Sequence, residues 1–462
     1  MKKDARDLTE GSIVRNLWYL ALPMIAGNLL QDFFNIVDMI FVGRIGPDAI
    51  AAVGMGGILL YMTFTIAIGI STGTVAMVSR FIGEQKHDAA EHVTMQSLLL
   101  GILCSVGLAV VGYPLAEPIL RLLGAKGNVI PLGISYFRIM LLGAFTMFLS
   151  YTLSSALRGA GDAKTPVIIF AFSTVLNIIL DPLLIFGVWI FPRLGVAGSA
   201  LATVIARGAG LAVFLWGFFT KRFVLWLKLS DAQINLDIMK RIIKIGAFGS
   251  LQALLRNLSG LILMRIVTFY DKKMHLAEAS TTTAEMPAVA SYTLGMRLRM
   301  IVMMPGFGVA NAVAPLVGQN LGAGKPKRAE KSAWLGVAFG AGIMMFAGVI
   351  YIVFANFIMS AFTQDPEVIR IGVVYVRIQA ITYGFIGLSI VLGRGFSGAG
   401  DTLPPMVFTG ISLLGFAIPA VIVMANWLGL IGIWIGIAAS NVVQATMMAF
   451  WFLRGKWKEK EV

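Results

Sequence analysis

Asn28, Gln31, Asn35 and Asp38 recur at i, i+3, i+7 and i+10 in LALPMIAGNLLQDFFNIVDMIFVGRIG (20–46), so a helix carries them on one side. Asp38 closes the stripe among Val37, Met39, Ile40 and Phe41. A carboxylate in such apolar company costs about 2.5–3.5 kcal/mol on insertion scales unless the protein uses it. A second acid, Asp181, stands in FSTVLNIILDPLLIFG four residues after Asn177, which places the pair on one helix face. Pro182 cannot donate a backbone hydrogen bond and loosens the helix beside that carboxylate. Thr203, in GVAGSALATVIARG, adds a hydroxyl. Two carboxylates, an amide and a hydroxyl are hard ligands suited to a sodium ion, and the same groups, desolvated, hold a proton. Both uses stay open. Asp38, Asn177, Asp181 and Thr203 are therefore the expected cation- or proton-coupling set, and no residue stands out as catalytic. Asn28, Gln31, Asp32, Phe34 and Asn35 are candidates to line a cavity, although Asp32 points about 120° away from Asp38. The competing uses are structural: amides that bond between helices, and aspartates that pair with an arginine or a helix end. Pro23 is the expected bend of this helix.

The elements that must position these groups are membrane helices. Of 462 residues, 58% are hydrophobic and only 13% charged, with a mean hydropathy of +0.84. A soluble chain of this size needs about 25% charged residues. With about 20 apolar residues per span, twelve helices are expected near 16–42, 49–78, 93–115, 130–158, 165–188, 195–220, 238–269, 287–317, 332–356, 368–396, 404–426 and 429–454. Lys and Arg test the orientation: with the N-terminus inside, 23 of 37 fall in cytoplasmic segments and 7 in the opposite loops. Both termini are thus expected in the cytoplasm of a cell membrane.

The net charge of +14 does not indicate nucleic acid, because the basic residues sit in short loops and at the termini. Cys104 is the single cysteine, so no disulfide framework or thiolate metal site exists. His87, His92 and His275 lie in or beside polar loops, without HExxH or CxxC spacing. Gly54, Gly56 and Gly57 follow no strand, and no GxxxxGK[ST] loop occurs, which argues against ATP as the drive. No cofactor is expected beyond a coupling ion. The long N-terminus carries acidic as well as basic residues, lacks an A-x-A site, and reads as a retained cytoplasmic tail rather than a signal peptide.

The chain also repeats itself. Ile82-Gly83-Glu84-Gln85-Lys86 with Ala90-Glu91 matches Leu321-Gly322-Ala323-Gly324-Lys325 with Ala329-Glu330 at a shift of 239. Gly159-Ala160-Gly161-Asp162 matches Gly398-Ala399-Gly400-Asp401 at the same shift. The first helix fits the seventh at a shift near 224, leaving about fifteen extra residues around 270–286. Six spans followed by six in the same orientation form a parallel repeat about an axis along the membrane normal. The expected fold is all-α, twelve transmembrane helices in two pseudo-symmetric six-helix lobes: residues 1–220, an amphipathic connector over 221–240, and residues 241–462. The halves differ in chemistry. Asp38 corresponds to Ile262, and the partner of Asn177/Asp181 lies in VFTGISLLGFAIPAVIVM, which has no acid. The second half carries Arg256, Arg265, Arg297, Arg299 and Arg377 instead, for an anionic substrate group or for snorkelling to the interfaces. Arg256, Met296 and Met300, with Met303 and Met304 nearby, are the candidate substrate contacts of that half.

These residues resemble the multidrug and toxic compound extrusion (MATE) transporters over nearly the whole chain. The resemblance rests on the N-terminal LPMIAGNLLQDFFNIVDMIFVGRIG, the LRGAGDAKTP loop, and NIILDP followed by GVAGSALAT. It looks closest to the archaeal and DinF-like branch. That likeness implies an N-lobe cation site at Asp38, Asn177, Asp181 and Thr203, with Pro23 as the bend of the first helix. A tyrosine often found four residues before the first-helix aspartate is Phe34 here, which removes one hydroxyl. The carboxylates of the NorM-like C-lobe have no evident match. The expected function is a secondary antiporter that exchanges H+ or Na+ for small amphipathic, cationic organic compounds in the lipid bilayer, acting as a monomer. The alternative is a flippase or exporter for a lipid-linked or anionic molecule. An intramembrane transferase wants a cluster of His and acids that is absent, and a channel wants a repeated charged ring.

Overall fold

The computed structural model describes residues 6–277 and 286–462; the side chains of Asp32, Asn35 and residues 273–277, and the stretch 278–285, lie outside the described residues. Among the described residues every regular element is a helix. The first unit takes α1 (Ile13–Gly43), α2 (Pro47–Gly83), α3 (His87–Leu122), α4 (Val129–Leu142), α5 (Ala144–Gly159), α6 (Lys164–Phe186) and α7 (Val196–Phe219). The chain continues through α8 (Leu236–Ala277), α9 (Pro287–Gly322), α10 (Pro326–Val353), α11 (Ala355–Ser360), α12 (Pro366–Ile381) and α13 (Tyr383–Gly398). It closes with α14 (Leu403–Gly410), a π-helical stretch Ile411–Ala417, and α15 (Ile418–Leu453). Two compact units result: residues 1–250 with 318–325 and 462, and residues 251–317 with 326–461.

Nine helical stretches among the described residues are long and apolar enough to cross a bilayer, and two bent pairs act as broken spans. The longest, Leu403–Leu453, has 51 residues, about twice the length one crossing needs. It is interrupted at Gly429, whose φ of 59° and ψ of −137° leave the helical region. Counting both segments recovers twelve spans. The continuous helices expected over 130–158 and 368–396 are instead bent, by 44° and 51°. The bends fall at Gly143 and Thr382, which are 239 residues apart. At Gly143 the absent side chain makes room for Val204; at Thr382 the hydroxyl turns back to the Gln379 carbonyl at 2.8 Å.

The repeat is thus visible in backbone detail. Gly195 has a φ of 56° and ψ of −130° before α7, the conformation of Gly429, and Gly161 and Gly400 share φ of 90° and 81°. Within the first unit a methyl on Gly83 would strike the Gln319 carbonyl, and one on Gly322 the Arg80 carbonyl. Gly83 and Gly322 are repeat mates, and so are Arg80 and Gln319.

The core of the first unit is apolar, with Met77, Phe148, Leu153, Phe214 and Phe218 fully buried or nearly so. In the second unit Tyr292, Tyr375, Val421 and Trp434 play that part. The stretch 220–235 is an irregular strap with one 3-10 turn, Leu229–Ala232, and α8 begins only at Leu236. Gln96 on α3 holds the strap: its amide donates to the carbonyls of Asp231 and Gln233 at 3.1 and 2.7 Å and accepts from the Asn235 N–H at 2.9 Å.

Candidate functional site

Three helices of the first unit carry the polar groups, and small residues let them approach. A methyl on Gly27 of α1 would sit 3.1 Å from Val167 of α6, and one on Gly198 of α7 would collide with the Leu184 carbonyl of α6. Pro23 lies inside α1, which runs through it as one helix. Loss of the proline N–H leaves the Tyr19 carbonyl without its ordinary helical donor.

Asp38 is half-buried, and its Oδ1 accepts from the Ser199 hydroxyl at 2.8 Å. Asp181 is fully buried. Asn177, 1% exposed, lies between Asp181 and Thr203, with one terminal amide atom 3.4 Å from both Asp181 Oδ1 and Thr203 Oγ1. The orientation that satisfies both neighbours donates to Asp181 Oδ2 at 2.9 Å and accepts from the Thr203 N–H at 3.1 Å. Asp38 and Asp181 are near enough to sense each other's charge, and Arg207 on α7 faces Asp38. Tyr136 of α4, fully enclosed, is close to both acids and to Arg207.

Beside these groups lies a cavity of about 40 Å³ lined by Gln31, Phe34, Tyr151, Asn177, Thr203 and Arg207. It has room for a water molecule or a small ion but not for an amphipathic organic molecule. Among the described residues no group of three or more His, Cys, Asp or Glu comes together as a metal site. The oxygen-rich set here has the chemistry of a hard monovalent ion or a proton.

Of the residues expected to line a cavity, Gln31 and Phe34 do so, and Asn28 is half-buried on α1. The side chains of Asp32 and Asn35 lie outside the described residues. In the second half, Met296 packs against the apolar core, Met300 is 51% exposed one turn later, and Arg256 is half-buried on α8.

Sequence reasoning missed Ser199, Arg207 and Tyr136. Ser199, Thr203 and Arg207 recur at i, i+4 and i+8, one polar stripe on α7, which was the available signal. Tyr136 carried no local signal, because only the packing of α4 against α7 brings it there.

A multi-pass helical membrane transporter, not an enzyme, is the class that this fold and its buried polar cluster define. The family model described as MatE matches residues 23–183 and 285–423, and the chain belongs to that family. It is 28% identical over 453 residues to the probable multidrug resistance protein NorM of Thermotoga maritima, covering 97% of this chain and 94% of that protein. It is 26% identical over 448 residues to the FAD transporter of Shewanella oneidensis, covering 96% and 94%. A crystal structure of MATE in complex with MaL6 superposes with a TM-score of 0.88 at 25% identity, covering 100% of both chains.

Proposed function

We propose that this protein is a cation-coupled multidrug exporter: H+ or Na+ binding at Asp38 and Asp181 drives a small amphipathic organic substrate, often cationic, outward by alternating access. It works in the cell membrane as a monomer, with both termini cytoplasmic and no cofactor beyond the coupling ion. Residues 1–220 act as the coupling lobe, 221–240 as a cytoplasmic connector and 241–462 as the second lobe. Pro23 is the bend that shifts α1 between states.

One observation carries the reading: two acids on different helices sense each other's charge and are held by uncharged donors, Ser199 to Asp38 and Asn177 to Asp181. A purely structural role would give each acid a dedicated cation, and among the described residues Arg207 acts on Asp38 while no cation acts on Asp181. An entering ion or proton neutralises part of the negative charge that two close carboxylates share, and that change biases one conformation over another.

The test is Asp38→Asn in proteoliposomes. Gradient-driven efflux is expected to vanish while the thermal unfolding of the purified protein stays near wild type. Full gradient-driven transport by that variant would sink the assignment. Flux under a sodium gradient without a pH gradient, and the reverse, separates the two ions.

A second reading, export of an anionic amphipathic molecule, is favoured by Arg299 in the second unit, whose Nε is buried without a hydrogen-bond partner among the described residues, and by the FAD transporter among the relatives.

A further inference from the structure

Tyr136 and Tyr375 are repeat mates, 239 residues apart, and each rests on a glycine that is also a repeat mate. A methyl on Gly56 would lie 2.7 Å from the Tyr136 ring, and one on Gly295 would collide with the Tyr375 ring. The tyrosine seat is therefore built twice. What faces the ring differs in charge balance. Tyr136 shares its surroundings with two acids, Asp38 and Asp181, and with Arg207. Tyr375 shares its own with Arg299, whose electrostatic neighbours are Tyr375, Tyr292 and Tyr383, with no carboxylate among the described residues.

That cluster is incomplete as it stands. Arg299 Nε, the Tyr375 hydroxyl and Gln379 Oε1 are all buried without a hydrogen-bond partner among the described residues. Tyr375 is 1% exposed and Gln379 fully buried. The Gln379 amide nitrogen is already committed to the Trp434 carbonyl at 3.0 Å. Trp434 in turn packs 4.8 Å from the Tyr375 ring and stacks at 5.7 Å on Tyr292, which fixes the wall. Native interiors seldom leave a buried cation and its neighbouring donor unsatisfied, and three such atoms meeting beside one tyrosine ring are the arrangement that would receive an oxyanion.

We propose that Arg299, Tyr375 and Gln379 bind an oxyanion group, phosphate or carboxylate, carried by the transported molecule. The guanidinium supplies the charge; its Nε–H and the phenol donate to the ligand oxygens. The Gln379 carbonyl accepts from a protonated oxygen of the same group. The first unit thus handles the coupling cation while the repeat-equivalent seat of the second unit recognises an anionic end of the cargo. This rests on the second reading above, export of a molecule with an anionic group, and not on the coupling role of Asp38.

Riboflavin and riboflavin 5′-phosphate differ by one phosphate and report binding through flavin fluorescence. With the purified full chain in detergent, the phosphate ester is expected to bind about 10-fold tighter than riboflavin. Arg299→Gln is expected to erase that preference, Tyr375→Phe to reduce it several-fold, and Arg299→Lys to keep part of it. Arg299→Lys, checked by thermal unfolding, decides the matter if Arg299→Gln fails to fold. Inorganic phosphate is expected to displace the ester from wild type and not from Arg299→Gln. Equal affinity for the two flavins in wild type, or a preference untouched by both Arg299 variants, overturns the proposal. Phosphate binding that depends on Arg299 without any flavin preference also overturns it, in favour of a free ion. The measurement needs no gradient, so Asp38→Asn protein retains the preference, and failure here is distinct from failure of the coupling site.

Discussion

Ser199 Oγ donates to Asp38 Oδ1 at 2.8 Å, joining α7 to the acid that ends the polar stripe of α1. Ser199 is fully buried, so no water replaces it readily. A hydrogen bond to a charged group contributes about 1.5–3 kcal/mol. Ser199→Ala is therefore expected to slow ion-driven efflux by roughly tenfold or more, with Ser199→Thr close to wild type. Initial rates in proteoliposomes check this. An unchanged rate in Ser199→Ala would mean that Asp38 does not depend on this donor.

Asp162 and Asp401 are repeat mates with different duties. Asp162 Oδ1 accepts from the N–H groups of Lys164 and Thr165 at 3.1 and 3.0 Å, and its Oδ2 accepts from the Thr165 hydroxyl at 2.6 Å, securing the start of α6. The mate of Thr165 is Pro404, which has no N–H to offer Asp401. Among the described residues Asp401 has an ion pair with Lys460 at 3.9 Å, and burial pushes its carboxyl above the ordinary range despite that lysine. The folded chain then holds the proton to higher pH than the unfolded chain, so this group's contribution to stability falls as pH rises through that window and stays lower at neutrality. Asp401→Asn is expected to raise the unfolding temperature at pH 7 and to leave it unchanged near pH 3.5. Asp162→Ala is expected to cost about 0.5–2 kcal/mol at pH 7. Thermal unfolding across pH separates the two; a pH-independent gain in Asp401→Asn would contradict the burial argument.

The strap over 220–235 depends on Gln96. Three backbone groups find their partner in this one fully buried amide. Glu91 adds the Trp226 N–H at 3.2 Å and an ion pair with Lys228 at 3.3 Å. Gln96→Leu strands the three groups and is expected to cost about 1–3 kcal/mol. Trypsin should then cleave at Lys228 faster than in wild type. Equal cleavage rates would show that the strap is held mainly by Leu225 and Leu227, which are buried.

Much of this was legible in the chain. Long apolar runs, the 239-residue repeat and the lone acids of α1 and α6 are local properties, readable because lipid leaves a helix no choice but to satisfy its own backbone. The polar stripe of α7 is equally local, with Ser199, Thr203 and Arg207 at i, i+4 and i+8. The bends at Gly143 and Thr382 were invisible, since the runs stay apolar across them and the break comes from contacts with Val204 and with the Gln379 carbonyl.

The sequence by itself determined the class of protein, the doubled architecture and the residues whose charge is too costly to be idle. Tertiary structure decided which of them meet. Asn177 and Asp181 already share a face of α6, but Asp38 meets Ser199 and Asn177 meets Thr203 because Gly27 and Gly198 let α1, α6 and α7 pack closely. The same packing seats Tyr136 and Tyr375 on matching glycines, one beside two acids and an arginine and the other beside an arginine alone among the described residues. Spacing along a chain reports which side chains share a helix face, whereas the sign of the charge across a helix interface is set only when separate helices come together.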